Sequence, residues 1–532
     1  MTTSGTSAAT PVGRAPRTVD AVVVGGGVAG LVAAHTLVVD GLSPVVLEAS
    51  DACGGYLASA DVGPAGTPVV VDVGAESYAS RSQAITALVR DLGLEAIEPS
   101  GLSAWGYVPV DVRRGRAFPL PKAGVLGIPG HPWAADTRRA LGVLGSLRAG
   151  LDRVLPASRV DTSDLASLVR SRLGRRALDR LVTPVAGGVH STDPALLSVD
   201  AVAPGLLAAY ERTGSLTAAV RSLRAQAPAG SAVRGLAGGM NQLVAALERT
   251  VEGQGRGQGQ GQGTILRGTG ARALRWAGDA WEVETTAGAV LRSAQVVLAV
   301  GGHQAIALLG GGSAGEVSSH DPVGARSVVD PSGTPQGLVD TRGAAPVRGT
   351  DIRLVTLLLR DPGLDGAPRG TGVLVGPGSD VVAKGTTHAS AKWPWLRARL
   401  DATLGPDAHV VRLSYGRGGA APTGPLAAAE AAGPEAADRA YVAQSVRDVE
   451  ALYGVTLAPD AVLSSLVTRW DDALSPPTPA HRERTSRLVS DVAALAGTGR
   501  PGLSVTGAWV AGTGLAAVVP HAQAAARASA LS

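Results

Sequence analysis

Cysteine is almost absent. Cys53 stands alone in 532 residues, so neither an intrachain disulfide nor a cysteine metal cluster can form, which fits a reducing compartment. The nine histidines are scattered without metal-ligand spacing, and no metal site is expected. Lysine is nearly as scarce: of 48 basic residues only Lys122, Lys384 and Lys392 are lysines. A formal charge of +4 is small for this length, and with no consecutive basic run it argues against a nucleic-acid partner. Residues 1–18 lack an apolar core and are rich in Thr, Ser, Ala and Pro. They read as a flexible tail and not a secretory signal, so a cytoplasmic location is expected. The apolar run from Ala21 to Val39 is broken by the triple glycine Gly25 to Gly27 and by His35, which makes it a buried strand, turn and helix rather than a membrane span. The same holds for Trp509 to Ala526.

What is present is a chain too long for one core, with 45% apolar and 17% charged residues; two or more soluble globular domains are expected. The informative stretch is Asp20 to Tyr56. Ala21 to Val24 reads as a strand, Gly25-Gly26-Gly27-Val28-Ala29-Gly30 as a tight turn, and Leu31 to Val39 as a helix. Gly25 makes the turn, Gly27 lets the backbone approach a pyrophosphate, and Gly30 allows close helix-strand packing, while the helix N-terminus offers free amides to the phosphates. A second strand, Pro44 to Leu47, ends on Glu48, where a carboxylate can accept hydrogen bonds from a ribose hydroxyl. The glycine pair Gly54-Gly55, followed by Tyr56, resembles the extended FAD signature and favours a flavin over NAD.

Further along, Val69 to Tyr78 alternates like a strand entering a loop, and Ser82 is placed to cap a helix through Ile85, Leu88, Val89 and Leu92. From Gly101 the chain becomes Pro-punctuated and then helix-like around Thr137 to Arg148 and Asp164 to Val182, suggesting an inserted helical subdomain. Leu173 to Gly188 alternates basic and apolar residues and is read as a solvated helix face, with a partner or membrane-surface patch as the other reading. Gly235 to Met240 introduces an amphipathic helix, Asn241 to Val251. Gly253 to Gly263 is low-complexity and read as a linker or hairpin. Strands are expected at Thr264 to Leu266, Trp281 to Thr285, Gln295 to Val300, Arg353 to Leu359, Thr371 to Val375 and His409 to Ser414. Pro394 marks Ser390 to Trp395 as a turn. Leu503 to Gly514 reads as a strand into a glycine turn, followed by a helix from Leu515 to Arg527.

In their order, these features resemble the oxygen-dependent porphyrinogen oxidases, most closely the Gram-positive coproporphyrinogen III oxidase branch. The resemblance runs from the glycine turn and Glu48 through Asp72 to Glu76, Leu181 to Gly188, Gly235 to Met240 and Ser390 to Trp395, to Gly512 to Val519. It implies an α/β fold: a Rossmann-like FAD-binding domain of the amine-oxidase/glutathione-reductase type, a β-sheet substrate domain and an inserted helical subdomain. The boundaries expected are a tail over 1–18, a discontinuous FAD domain over 19–100, 225–302 and 495–532, a helical subdomain over 101–224 and a substrate domain over 303–494. The cofactor-binding positions implied are Gly25, Gly26, Gly27, Val28, Ala29, Gly30, Glu48, Ala49, Gly54, Gly55, Tyr56, Gly74, Ala75, Glu76, Ser77, Ala271, Gly512, Gly514, Leu515 and Val518.

The same resemblance implies hydride transfer from a porphyrinogen to FAD and reoxidation by molecular oxygen, with hydrogen peroxide released and coproporphyrin III formed by repeated two-electron steps. That chemistry asks for little acid-base machinery, and no catalytic triad is assigned. It does require cations for the propionates; Arg81 and Lys392 are the candidates, with Lys384, Arg412 and Arg417 behind them. Relatives usually carry a basic residue where Ala52 and Tyr56 stand, and often Pro and Cys where Ala516 and Val518 stand, so weaker pairing of the pyrophosphate is expected. Two other readings remain: a flavin amine oxidase or desaturase, and a non-catalytic flavin-fold protein that binds a tetrapyrrole. Peripheral contact with a membrane or with a partner of haem synthesis is also open.

Overall fold

The computed structural model describes residues 15–111, 114–122, 124–156, 160–226, 232–254, 261–310, 338–339, 341, 348–417, 420–475 and 478–531. Most of the low-complexity stretch, 255–260, lies outside them.

Five short strands form a parallel sheet in the order Thr264–Leu266, Pro44–Leu47, Ala21–Val24, Val296–Leu298 and Leu503–Val505. The continuous apolar sequences of its three central strands suit a sheet covered on both faces. On one face the helices Val28–Val39, Asn241–Val251 and Leu515–Leu531 share a core through Leu31, Leu243, Leu247 and Val519. Ten of the 12 residues of Val28–Val39 are buried, which is why its sequence is apolar all round. On the other face lie a four-stranded sheet, Arg17–Thr18, Val290–Ser293, Trp281–Thr285 and Ala271–Trp276, and the helices Gly302–Leu309 and Pro479–Ala494.

A seven-stranded mixed sheet stands beside this layer, in the order Val462–Leu474, Thr350–Arg360, Ala408–Tyr415, Gly385–His388, Gly372–Val375, Trp105–Asp111 and Arg114–Pro119. Pro434–Tyr453 packs on one face; Pro394–Thr403 and the hairpin Ser59–Asp61/Val70–Asp72 pack on the other. The helices between Ala135 and Gln226 form a separate core around Leu141, Leu165, Leu181 and Leu216. Inside it Arg172 meets Asp152 at 2.7 Å with both side chains fully buried, and Ser215, Leu216 and Thr217 complete the Asp152 bonds. Burial raises the Asp152 carboxyl, but these bonds outweigh it and hold the group below the usual carboxylate range.

Several expectations are corrected. Trp105 to Pro119, read as part of the helical stretch, is a hairpin of the substrate sheet, because Trp105 to Tyr107 pair in parallel with Val373 to Val375, a partner some 270 residues away in sequence that local pattern cannot reveal. Pro479–Ala494, read as part of the substrate domain, buries Leu488 and Val492 against the parallel-sheet layer. Ser390 to Trp395 is not a turn: Ala389–Lys392 is a short helix and Pro394 opens Pro394–Thr403 at its first turn, where its missing N–H costs nothing. Ser82 precedes Gln83–Asp91 without capping it; its hydroxyl donates to Ala516 O at 3.3 Å instead. No helix among the described residues is long and apolar enough to cross a membrane.

Candidate active site

The glycine turn between the first strand and helix is built as its sequence requires. Gly25 has φ of +104°, and a Cβ on Gly30 would sit 1.8 Å from Gly25 O, so helix and strand approach only because residue 30 has no side chain. A Cβ on Gly27, by contrast, would meet nothing within 4 Å. The first intrahelical bond runs from Leu31 N to Gly27 O, so the amides of Val28, Ala29 and Gly30 precede it at the positive end of the helix dipole. Gly54 N donates to Gly26 O, and Gly27 pairs with Gly54 as an isolated bridge. Glu48, at the end of its strand, accepts from Gly26 N at 2.7 Å and Ser50 N at 2.8 Å; a carboxylate has further lone pairs for a ribose hydroxyl.

The second glycine turn lies at Gly512 to Gly514, both at positive φ. Gly514 also faces open space, and its carbonyl accepts from Ala517 N and Val518 N as Leu515–Leu531 begins. The positions expected to bind cofactor therefore divide by role. Gly27 and Gly514 are backbone groups beside open space, whereas a Cβ on Gly55 would lie 3.4 Å from Gly27 Cα, so Gly55 closes the turn against Gly27. Leu515 and Val518 have their side chains in the apolar core, and the Val518 amide is already bonded. Gly74 and Ala75 pack against the chain at Tyr56: Ala75 N donates to Tyr56 O, and a Cβ on Gly74 would lie 2.0 Å from that oxygen. Ser77 lies half-buried beyond Glu76. Ala49 is exposed after Glu48, and a Cβ on Gly270, just before Ala271, would lie 3.3 Å from the Ala49 Cβ.

No cation occupies the positions of Ala52 and Tyr56. The Tyr56 hydroxyl donates to Asp472 O at 3.2 Å and its ring meets Trp470 edge-on at 5.4 Å, which ties the cradle to the last strand of the seven-stranded sheet. Cys53 lies beside Gly26. Burial and the neighbouring Glu248 push its thiol up to about 12, so it stays protonated and unreactive at neutral pH.

Between cradle and sheet, Glu76 meets Lys392 at 2.5 Å and Arg412 at 3.0 Å, and Arg412 also donates to Gly74 O at 2.8 Å. Burial raises the Glu76 carboxyl, but Lys392 and Arg412 outweigh it and hold the group below its ordinary range. Lys392, expected to hold a propionate, is thus already paired. Arg81 is exposed one residue before Ser82, close to the second glycine turn through the Ser82 bond to Ala516. Sequence reasoning missed Glu76 as the centre of an ion cluster, because its partners lie 316 and 336 residues away.

Asp72 is buried and accepts from Met240 N with both oxygens, at 2.9 and 3.0 Å. Burial pushes its carboxyl up to about 6, against the pull of the Met240 bond and Arg412. An unfolded Asp titrates near 3.9, so between about pH 4 and pH 6 the folded state binds more protons and stability falls as pH rises, by up to about 3 kcal/mol. Asp72→Asn keeps an acceptor for Met240 N–H and removes the titration. Urea unfolding of both proteins from pH 4 to pH 7 should show the variant gaining on the parent as pH rises; parallel curves would contradict the assignment.

A groove of about 670 Å³ lies among His35, Leu88, Ala246, Thr250 and Gln523. It shares no residue with the two glycine turns.

Comparison with known proteins places the arrangement. Residues 28–308, just over half of the chain, match the family described as flavin containing amine oxidoreductase. The coproporphyrinogen III oxidase of Mycobacterium leprae is 29% identical over 94% of this chain and 96% of its own. The coproporphyrinogen III oxidase of Bacillus subtilis is 23% identical over 95% and 96%. The solved structure of an Exiguobacterium sp. 255-15 protein, assigned as a protoporphyrinogen oxidase, shares the fold with a TM-score of 0.72 at 21% identity, covering 97% of this chain and 99% of that one. The cradle fits such a cofactor: Gly27 and Gly514 leave space that a side chain would fill, two helix N-termini have amides that a pyrophosphate would accept from, and the Glu48 carboxylate would have lone pairs left for a ribose hydroxyl. FAD is the cofactor, and the chain belongs to the flavin containing amine oxidoreductase family.

Proposed function

We propose that this protein oxidises coproporphyrinogen III to coproporphyrin III, with molecular oxygen as final acceptor and hydrogen peroxide as co-product. The observation that carries this reading is the near full-length likeness to coproporphyrinogen III oxidases of two different bacteria. In each two-electron step the macrocycle gives up a hydride from carbon and a proton, and one O₂ takes two electrons and two protons to become hydrogen peroxide; three steps complete the aromatic ring. FAD supplies the two-electron acceptor.

The chain's own part is to bind and orient. Gly25 to Gly30 and Gly512 to Gly514 hold the dinucleotide by backbone, Glu48 holds the ribose, and the Glu76 cluster fixes the sheet against the cofactor layer. No general base is assigned. Asp72 is held by Met240 N–H, and Cys53 is a protonated thiol. Arg81, exposed near the second glycine turn, remains the proposed contact for a substrate carboxylate, whereas Lys392 serves through Glu76.

The FAD-loaded protein mixed anaerobically with coproporphyrinogen III should lose its flavin absorbance. On admitting air, absorbance should return with porphyrin fluorescence and peroxide, faster than in a protein-free control. A yellow protein that bleaches with amines and not with coproporphyrinogen would overturn the proposal.

A further inference from the structure

Lys384 is 4% exposed, yet among the described residues no carboxylate pairs with it. Its ammonium donates to Ser191 Oγ, and the charge that acts on it is another cation, Arg417, which lowers it. Arg417 is half-buried, and one guanidinium nitrogen donates to Val375 O at 2.9 Å. A guanidinium carries five N–H groups, so donors remain. Like charges brought together out of water repel and lose hydration, a cost that a paired anion would offset.

Both walls of the place are constructed for close approach. The helix Thr183–His190 lies on the sheet with no room for a side chain at Gly188, where a Cβ would be 2.6 Å from Leu374. Gly187 leaves the Arg417 guanidinium 3.7 Å from where its Cβ would stand. Ser191 ends that helix at φ of +50°, a conformation that side-chain-bearing residues avoid. Lys384 N is bonded to Ser414 O, and Thr387 pairs with Arg412. Three residues of strand, about 10 Å, therefore separate Lys384 from the level of Arg412, which binds Gly74 and Glu76 next to the cofactor layer.

We propose that Lys384, Arg417 and Ser191 form a carboxylate-binding subsite between the helix Thr183–His190 and the seven-stranded sheet, and that it receives one propionate of the tetrapyrrole. The identity of the ligand rests on the oxidase reading; the anion site itself rests on the geometry. Burial and Arg417 lower the Lys384 ammonium to about 7, and a bound carboxylate would restore its charge. The other charged group nearby, Asp448, bonds Ala383 N and the Tyr415 hydroxyl, and burial raises its carboxyl.

The test is a fluorescence titration of the FAD-loaded protein with coproporphyrin III at about pH 6 and about pH 9, on either side of the Lys384 value. Lys384→Met and Arg417→Met should each weaken binding about tenfold or more at the lower pH, and KM for coproporphyrinogen should rise more than kcat falls. Wild type should bind more weakly at the higher pH, and Lys384→Arg should flatten that dependence. Unchanged affinity in Lys384→Met with a lowered unfolding midpoint would make Lys384 only a counter-charge for the helix C-terminus and overturn the proposal, as would a wild type that binds no coproporphyrin. If Lys384→Met fails to fold, Arg417→Met decides in its place. Lys384-dependent binding without bleaching by coproporphyrinogen would sink the oxidase reading and leave the subsite standing; bleaching with Lys384-independent binding would do the reverse.

Discussion

Gly27→Ala should fold like the parent apoprotein and bind FAD about 10- to 100-fold more weakly. Gly27 has φ of −65° and ψ of 173°, a conformation open to any L-residue, and a Cβ there touches nothing within 4 Å. The methyl group would project into the cradle where the backbone meets the pyrophosphate. Overpacking of about 1–3 kcal/mol corresponds to a loss of affinity of about 10- to 100-fold. Gly30→Ala is the control. Its Cβ would lie 1.8 Å from Gly25 O, so the helix must leave the strand and folding suffers together with binding. Flavin fluorescence quenching gives the affinities, and urea unfolding of the two apoproteins gives the stabilities. FAD bound by Gly27→Ala at parental affinity would mean that the pyrophosphate does not approach residue 27.

The second large effect is expected from Glu76→Gln. Glu76, Lys392 and Arg412 have side chains only 15%, 17% and 8% exposed, so a neutral amide would leave two largely buried cations without their counter-charge. Breaking a buried pair in this way costs about 3–5 kcal/mol, against about 0–1 kcal/mol for a surface pair. The loss should appear in unfolding of the sheet against the cofactor layer, since Arg412 lies on the sheet and Lys392 on the short helix beside it, whereas Glu76 lies in the loop that leads to Tyr78 in the cofactor-layer core. Adding Lys392→Met to Glu76→Gln should recover part of it, because the pair couples. A cost below about 1 kcal/mol would place the cluster in solvent-like surroundings and remove it as a fastener.

The strand, turn and helix from Ala21 to Val39 were legible because each step has a local cause: a buried parallel strand is apolar throughout, and a close turn demands glycine. Glu48 was legible for the same reason, as the residue that ends the next strand. Trp105 to Pro119 was not, since its pairing with Val373 to Val375 is remote in sequence, and neither was Pro394, whose ring fits a first helical turn as well as a bend. Ser191 carried no signal at all. Nothing near it in the chain indicates that it meets Lys384, 193 residues further on.

By itself the sequence determined the dinucleotide turn, the acid at its far end, the second glycine turn and the scarcity of lysine that makes Lys384 and Lys392 conspicuous. These are properties of short segments, set by backbone sterics and periodicity. Only the tertiary structure decided what the charges do. Lys392 and Arg412 converge on Glu76 and fasten two layers, while Lys384 and Arg417 are brought together beside Ser191 with no described carboxylate between them. Charge pairing acts over a few ångströms and is indifferent to separation along the chain, so it becomes readable only once the chain has folded.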